Sequence, residues 1–121
     1  MLLQTFGTVV EVQEDQLHAV TALSGSGPAY FYYVVEAMKE AGLAYGLTSD
    51  VVDQLIVETM AGAAEMLKQV DEEPATLRKK ITSPGGTTAA GIAALQQFDV
   101  KQAFIECVDA AEKKSRDLAN S

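Results

Sequence analysis

Six consecutive residues, Tyr30-Phe31-Tyr32-Tyr33-Val34-Val35, carry no charge, and they stand directly behind a segment that starts a helix. That segment is Ser24-Gly25-Ser26-Gly27-Pro28. Proline is favoured at the first position of a helix, where its missing amide hydrogen costs nothing, and the serine and glycine before it suit a cap. A long helix is therefore expected to begin near Pro28, with charge entering only at Glu36, Lys39 and Glu40. A helix that is apolar on every side is buried on every side. At 121 residues the chain has the size of one ordinary domain. It has little protein of its own to surround such a helix, so a second chain is the expected cover.

Gly46 is read as the left-handed C-terminal cap of that helix, and Thr48 with Asp50 as the start of the next, which runs from about Ser49 to Gln69. Its inward positions are Val52, Leu55, Ile56, Met60, Ala63 and Leu67. Between them, Ala61-Gly62-Ala63-Ala64 removes side-chain bulk. Glycine in mid-helix costs about 1 kcal/mol relative to alanine, a cost that fits another helix crossing closely there. Pro74 opens a short helix through Lys80, and an alanine-rich helix follows from about Thr88 to Gln97. Asp99 is read as the cap of a last helix whose stripe is Val100, Phe104, Cys107, Val108, Ala111 and Leu118.

Ahead of these, Asp15 to Leu23 reads as a short helix or turn, and Gly7 to Val12, rich in β-branched residues, as the single convincing strand. One strand cannot satisfy its own backbone donors and acceptors. The expected class is thus all-α with one orphan N-terminal β-strand, and the strand is expected to pair with something outside this sequence. On that reading the chain is a piece of a larger protein, and Met1 need not be a native start.

Composition narrows the possible functions. Hydrophobic residues make up 48% and charged residues 21%, proportions of a globular domain rather than a disordered tail. Seventeen acidic against nine basic residues leave a net charge of -8, which repels nucleic acid and anionic lipid. The one basic cluster, Arg78-Lys79-Lys80, is what a solvated helix face ordinarily carries. Neither a nucleic acid nor a membrane is expected as a partner. Cys107 is the only cysteine, so no intrachain disulfide can form, and a lone thiol in an apolar stretch reads as a small core residue. The N-terminal stretch Met1 to Phe6 lacks the basic start and apolar centre of a signal peptide, and no apolar run approaches the roughly 20 residues that span a bilayer. A cytoplasmic protein is expected.

The chemical inventory is small. His18 is the only histidine, no cysteine or histidine pair has metal-ligand spacing, and no nucleophile has an evident base partner. His18 reads as a surface residue, and no metal is expected. Gly25-Ser26-Gly27 resembles the opening of a dinucleotide fingerprint, but the third glycine is missing, Pro28 follows, and no buried strand precedes it. Ser83-Pro84-Gly85-Gly86-Thr87-Thr88 is more informative. Two glycines let successive amides aim at one point, three hydroxyls add donors, and the positive end of the following helix favours an anion. From the residues alone, a carboxylate or phosphate site and an ordinary capped loop are both open.

The string Val20-Thr21-Ala22-Leu23-Ser24-Gly25-Ser26-Gly27-Pro28-Ala29-Tyr30, followed by Glu36-Ala37, Gly46-Leu47, Gly62-Ala63-Ala64, Pro74, Leu77-Arg78 and Ser83-Pro84-Gly85-Gly86-Thr87-Thr88, resembles the C-terminal half of pyrroline-5-carboxylate reductases. Ala110-Ala111 and Ser115-Arg116-Asp117-Leu118 in the closing helix fit as well. The resemblance covers nearly the whole chain. It implies an enzyme that reduces 1-pyrroline-5-carboxylate to L-proline with a hydride from NADPH or NADH, the last step of proline biosynthesis. It also implies a helical dimerisation domain of the 6-phosphogluconate dehydrogenase C-terminal-like type, interleaved in a homodimer and often assembled into decamers, with the cofactor held by an N-terminal Rossmann domain. Residues 1–19 would then be the end of that nucleotide-binding domain and its connection, and residues 20–121 the dimerisation and substrate-binding domain. Carried over by position, Ser83, Thr87 and Thr88 contact the substrate carboxylate and Gly86 permits the loop's shape. Thr88, which also reaches the ring nitrogen, is the one catalytic candidate. Without the Rossmann domain this chain is expected to bind no cofactor and to be inactive. The alternative reading is a stand-alone helical interaction module that kept the dimer surface and lost the chemistry.

Overall fold

A computed structural model describes residues 1–5 and 7–121; Phe6, part of the N-terminal segment considered above, lies outside the described residues. Two antiparallel strands, β1 (Leu2–Thr5) and β2 (Thr8–Glu11), are followed by a 3-10 turn (Glu14–Gln16), α1 (Leu17–Val20) and a π-helical turn (Thr21–Gly25). Five further helices complete the order: α2 (Gly27–Ala44), α3 (Ser49–Gln69), α4 (Pro74–Lys80), α5 (Thr87–Gln97) and α6 (Val100–Ala119). The class is all-α, as expected, with one small sheet. Two compact units divide the chain, residues 1–32 with 99–121 and residues 33–98.

The sheet corrects one expectation. The strand read as an orphan has a partner within the chain, since Leu2 pairs with Glu11, Leu3 with Val10, Gln4 with Val9 and Thr5 with Thr8. Gly7 stands at φ +82, the left-handed region that tight hairpin turns require and glycine tolerates. A strand at residues 8–11 therefore carries no argument that the chain must continue into a larger sheet. Its apolar side chains remain uncovered all the same, with Val9 and Val10 both exposed.

In the first unit, α6 packs against α1 and the π-helical turn, and Ala22 is fully enclosed. The turn has a local cause. Pro28 has no amide hydrogen to give to the carbonyl four residues back, so an α-helix cannot run unbroken through it. The chain inserts a wider turn before it, in which the amide of Ser26 donates to the carbonyl of Thr21 at 2.8 Å. His18 is half-buried, and its Nδ1 lies 2.7 Å from Ser115 Oγ on α6. The only histidine is thus a tie between α1 and α6 and not the free surface residue expected.

In the second unit, α2 and α3 meet where bulk is missing. A Cβ added to Gly42 would come within 3.0 Å of Val52 Cγ2, and Val52 is only 2% exposed. Lys39 Nζ and Asp53 Oδ1, 2.9 Å apart, form an ion pair beside this contact. The turn between the two helices is built as read. Gly46 sits at φ +88, its amide donates to Leu43 O at 3.0 Å, and that of Leu47 donates to Gly42 O at 3.3 Å. This is the glycine-capped Schellman arrangement. Thr48 Oγ1 accepts from Val51 N at 3.4 Å to open α3. Replacing Gly42 by valine should force the helices apart and destabilise the chain by about 1–3 kcal/mol, the usual effect of overpacking. Urea denaturation would check this, and an unchanged midpoint would mean the approach at Gly42 is not tight in solution.

Two further expectations need correction. Of the six inward positions read on α3, Val52 and Ile56 are buried, whereas Leu55 (53%), Met60 (37%), Leu67 (50%) and Ala63 are exposed. A Cβ on Gly62 would meet nothing within 4 Å among the described residues, so within the second unit no helix crosses closely there. The periodicity marked an apolar face correctly, but the chain's own residues cover only its first two turns. Asp99 does occupy the cap position of α6, yet its backbone is left-handed (φ 51, ψ 40) and its side chain makes no capping hydrogen bond. An N-cap side chain reaches the first helical amides from extended backbone, which Asp99 does not have.

Candidate functional site

Ser83 and Gly86 lie in the connection from α4 to α5, and Thr87 and Thr88 are the first two residues of α5, all within residues 33–98. Ser83 precedes a proline and is thereby excluded from helical backbone, so α4 has to end before it. Pro84 and Gly85 then form the centre of a tight turn. Gly85 has φ +74, and the amide of Gly86 returns to the carbonyl of Ser83 at 3.0 Å. Proline at the second position and a left-handed glycine at the third define a type II turn. Gly86 is needed for space rather than for its backbone angle, because a Cβ there would lie 3.2 Å from Ser83 O.

The turn delivers the chain directly into α5. Gly86 is the N-cap in extended conformation (φ -87, ψ 179) and supplies no side-chain cap. The first bond of the helix runs from Ala90 N to Gly86 O at 3.1 Å. Thr87, Thr88 and Ala89 therefore present amides at the positive end of an 11-residue helix, the donors that helix geometry leaves without an internal acceptor. Ser83 and Thr87 are exposed, while Gly86 and Thr88 are half-buried. The four expected residues thus gather around a single turn. Amides, hydroxyls and the helix dipole there are of one polarity and suit an anion.

At the other end of the connection, Arg78, Lys79 and Lys80 form the last turn of α4 and are exposed, where cations complement the helix dipole. Lys80 pairs with Glu72. Sequence reading does not single out Thr82, yet its hydroxyl makes one of the short bonds of the region, donating to Arg78 O at 2.6 Å. The available signal was its spacing, four residues after the carbonyl it uses.

Gly25-Ser26-Gly27 lies in a setting unlike that of a dinucleotide fingerprint. A helical turn precedes it where a fingerprint needs a strand, and Gly27 is buried at the start of α2. Among the described residues no group of three or more metal-ligating side chains is found, and no helix is long and apolar enough to cross a membrane.

Residues 14–118 match the family model described as pyrroline-5-carboxylate reductase dimerisation. The chain belongs to this family. It is 48% identical over 117 residues to pyrroline-5-carboxylate reductase 2 of Bacillus subtilis, an alignment covering 97% of this chain and 42% of that protein. Among solved structures, pyrroline carboxylate reductase of Plasmodium falciparum with NADP bound superposes with a TM-score of 0.84 at 37% identity, over 88% of this chain and 43% of the other. The 1-pyrroline-5-carboxylate reductase of Streptococcus pyogenes gives a TM-score of 0.86 at 30% identity, over 89% and 42%. The dimerisation-family chain therefore spans somewhat less than half the length of these relatives.

Proposed function

We propose that this chain is the dimerisation and substrate-binding part of a reductase that converts 1-pyrroline-5-carboxylate to L-proline with NADPH or NADH. Residues 20–121 would form that part, and residues 1–19 the end of a nucleotide-binding domain and the connection from it. The observation that carries the reading is the type II turn of Ser83–Gly86 opening onto the amides of Thr87 and Thr88, in a chain of this family. The substrate's one full negative charge is its carboxylate, and this turn is built for an anion. Ser83 and Thr87 supply exposed hydroxyls, Gly86 the room for close approach, and Thr88 a half-buried hydroxyl that would also reach the ring nitrogen. The nicotinamide cofactor would be held by a domain other than this chain; the Plasmodium falciparum relative is solved with NADP bound.

A homodimer follows from the uncovered apolar surface of α2, where Phe31, Tyr32 and Tyr33 are each more than 60% exposed. Further assembly, such as a decamer, would be built from that dimer. A stand-alone interaction module would share the same apolar surface, so it is the turn that separates the two readings.

In the full-length reductase, Ser83→Ala and Thr88→Ala should each weaken binding of L-proline while leaving nucleotide affinity nearly unchanged. A hydrogen bond to a charged group is typically worth about 1.5–3 kcal/mol. Calorimetric titration of both variants tests this, and unaltered proline affinity in both would mean that the turn is only a helix cap.

A further inference from the structure

The two ends of α2 and α4 are finished differently, and the difference bears on the site. The amides that close α2 are aimed by a glycine, Gly46, in left-handed conformation. The helix α4 has no such residue. Its C-cap is Ile81 with φ -105 and ψ 10, and the glycines that follow, Gly85 and Gly86, are spent on the turn beyond Pro84. The last carbonyls of α4 are held by the residues that lead into the turn. Ile81 N donates to Arg78 O and Thr82 N to Lys79 O, both at 3.2 Å. The hydroxyl of Thr82 adds the third and shortest bond, to Arg78 O at 2.6 Å.

Thr82 is half-buried and adjoins Ser83, the first residue of the turn. Ser83 is itself restricted to extended backbone by Pro84, so the direction in which it leaves α4 is set almost wholly by the residue before it. We propose that Thr82 is the positioning residue of the carboxylate turn. Its hydroxyl does not meet the ligand; it clamps the end of α4 so that Ser83 and the first amides of α5 are held in binding geometry before the substrate arrives. Thr82 thus works at one end of the turn as Gly86 does at the other, where its amide N–H donates a hydrogen bond to Ser83 O and closes the turn. This inference rests on the reading of residues 83–88 as the carboxylate site.

The test uses the full-length reductase with four variants, Thr82→Val, Thr82→Ser, Ser83→Ala and Thr88→Ala, and measures L-proline affinity, NADP affinity and amide exchange at Gly86. Valine keeps the shape of threonine and removes the donor; serine keeps the donor. Thr82→Val should weaken L-proline binding by roughly 2- to 10-fold, the range of one neutral hydrogen bond, with faster exchange at Gly86 and unchanged NADP affinity. Thr82→Ser should restore both proline affinity and exchange. If Ser83→Ala and Thr88→Ala weaken proline binding while Thr82→Val does not, the positioning role is wrong and the site stands. If Thr82→Val weakens binding and serine fails to restore it, the hydroxyl is not the cause and the proposal falls. If none of the four changes proline affinity, the site reading fails and this proposal with it.

Discussion

Sedimentation of the 121-residue chain at micromolar concentration should show a dimer, and Phe31→Glu should break it. On α2, Phe31 is 62%, Tyr32 67% and Tyr33 75% exposed, adjacent aromatic residues on a single helix that the chain itself leaves uncovered. The same holds along α3, where Leu55, Val57, Met66 and Leu67 are each about half exposed or more. Apolar surface of this extent is costly in water, at about 25 cal/mol per Å², and contiguous patches of it mark association surfaces. An obligate interface of this kind should bury upwards of roughly 2,000 Å² in total. Aromatic anchors in such interfaces typically contribute 2 kcal/mol or more, and a glutamate in place of Phe31 would also have to be buried without a partner. The variant should therefore dissociate at concentrations at least roughly 30-fold higher than the parent, at the 1.4 kcal/mol that corresponds to each tenfold change. A parent chain that sediments as a well-folded monomer would sink this expectation.

The second large effect is a complete loss. This chain alone should show no oxidation of NADPH in the presence of 1-pyrroline-5-carboxylate, whatever its oligomeric state. In cofactor chemistry the protein contributes chiefly by positioning donor against acceptor, and the glycine segment at residues 25–27 lacks the strand and the third glycine that a dinucleotide turn requires. Adding the missing part of the relatives, by expression of a protein of their length, should restore turnover. Steady NADPH consumption by the isolated chain, in a preparation free of other reductases, would show that residues 1–121 hold the cofactor by a route not recognised here.

Much of the local structure was legible because its causes lie within a few residues of its effects. Pro74, Gly46 and Thr48 act on the amides and carbonyls of their own turn: α2 ends just before Gly46, α3 begins directly after Thr48, and α4 begins at Pro74. The same is true of the candidate site. Pro84 by its fixed φ and Gly85 by its access to left-handed backbone determine a type II turn, Gly86 leaves it room, and the hydroxyls of Ser83, Thr87 and Thr88 are brought together by adjacency in the chain. No long-range contact is needed to assemble them.

What the sequence could not decide depends on residues far apart in the chain. Periodicity showed that one side of α3 is apolar, but whether Leu55 or Ile56 is covered depends on where α2 runs, and Gly42 against Val52 brings the two helices together only near the start of α3. The pairing of Leu2–Thr5 with Thr8–Glu11 is not read from the sequence, where strand content alone leaves β2 without a partner. His18 and Ser115 stand 97 positions apart and touch because α6 returns onto α1, a contact that no local pattern encodes. Helix caps and turns are therefore properties of the sequence itself, since the groups that satisfy them are neighbours along the backbone. Burial, helix crossings and the tie at His18 belong to the tertiary structure, because each requires two distant segments to meet before either side chain acquires its environment.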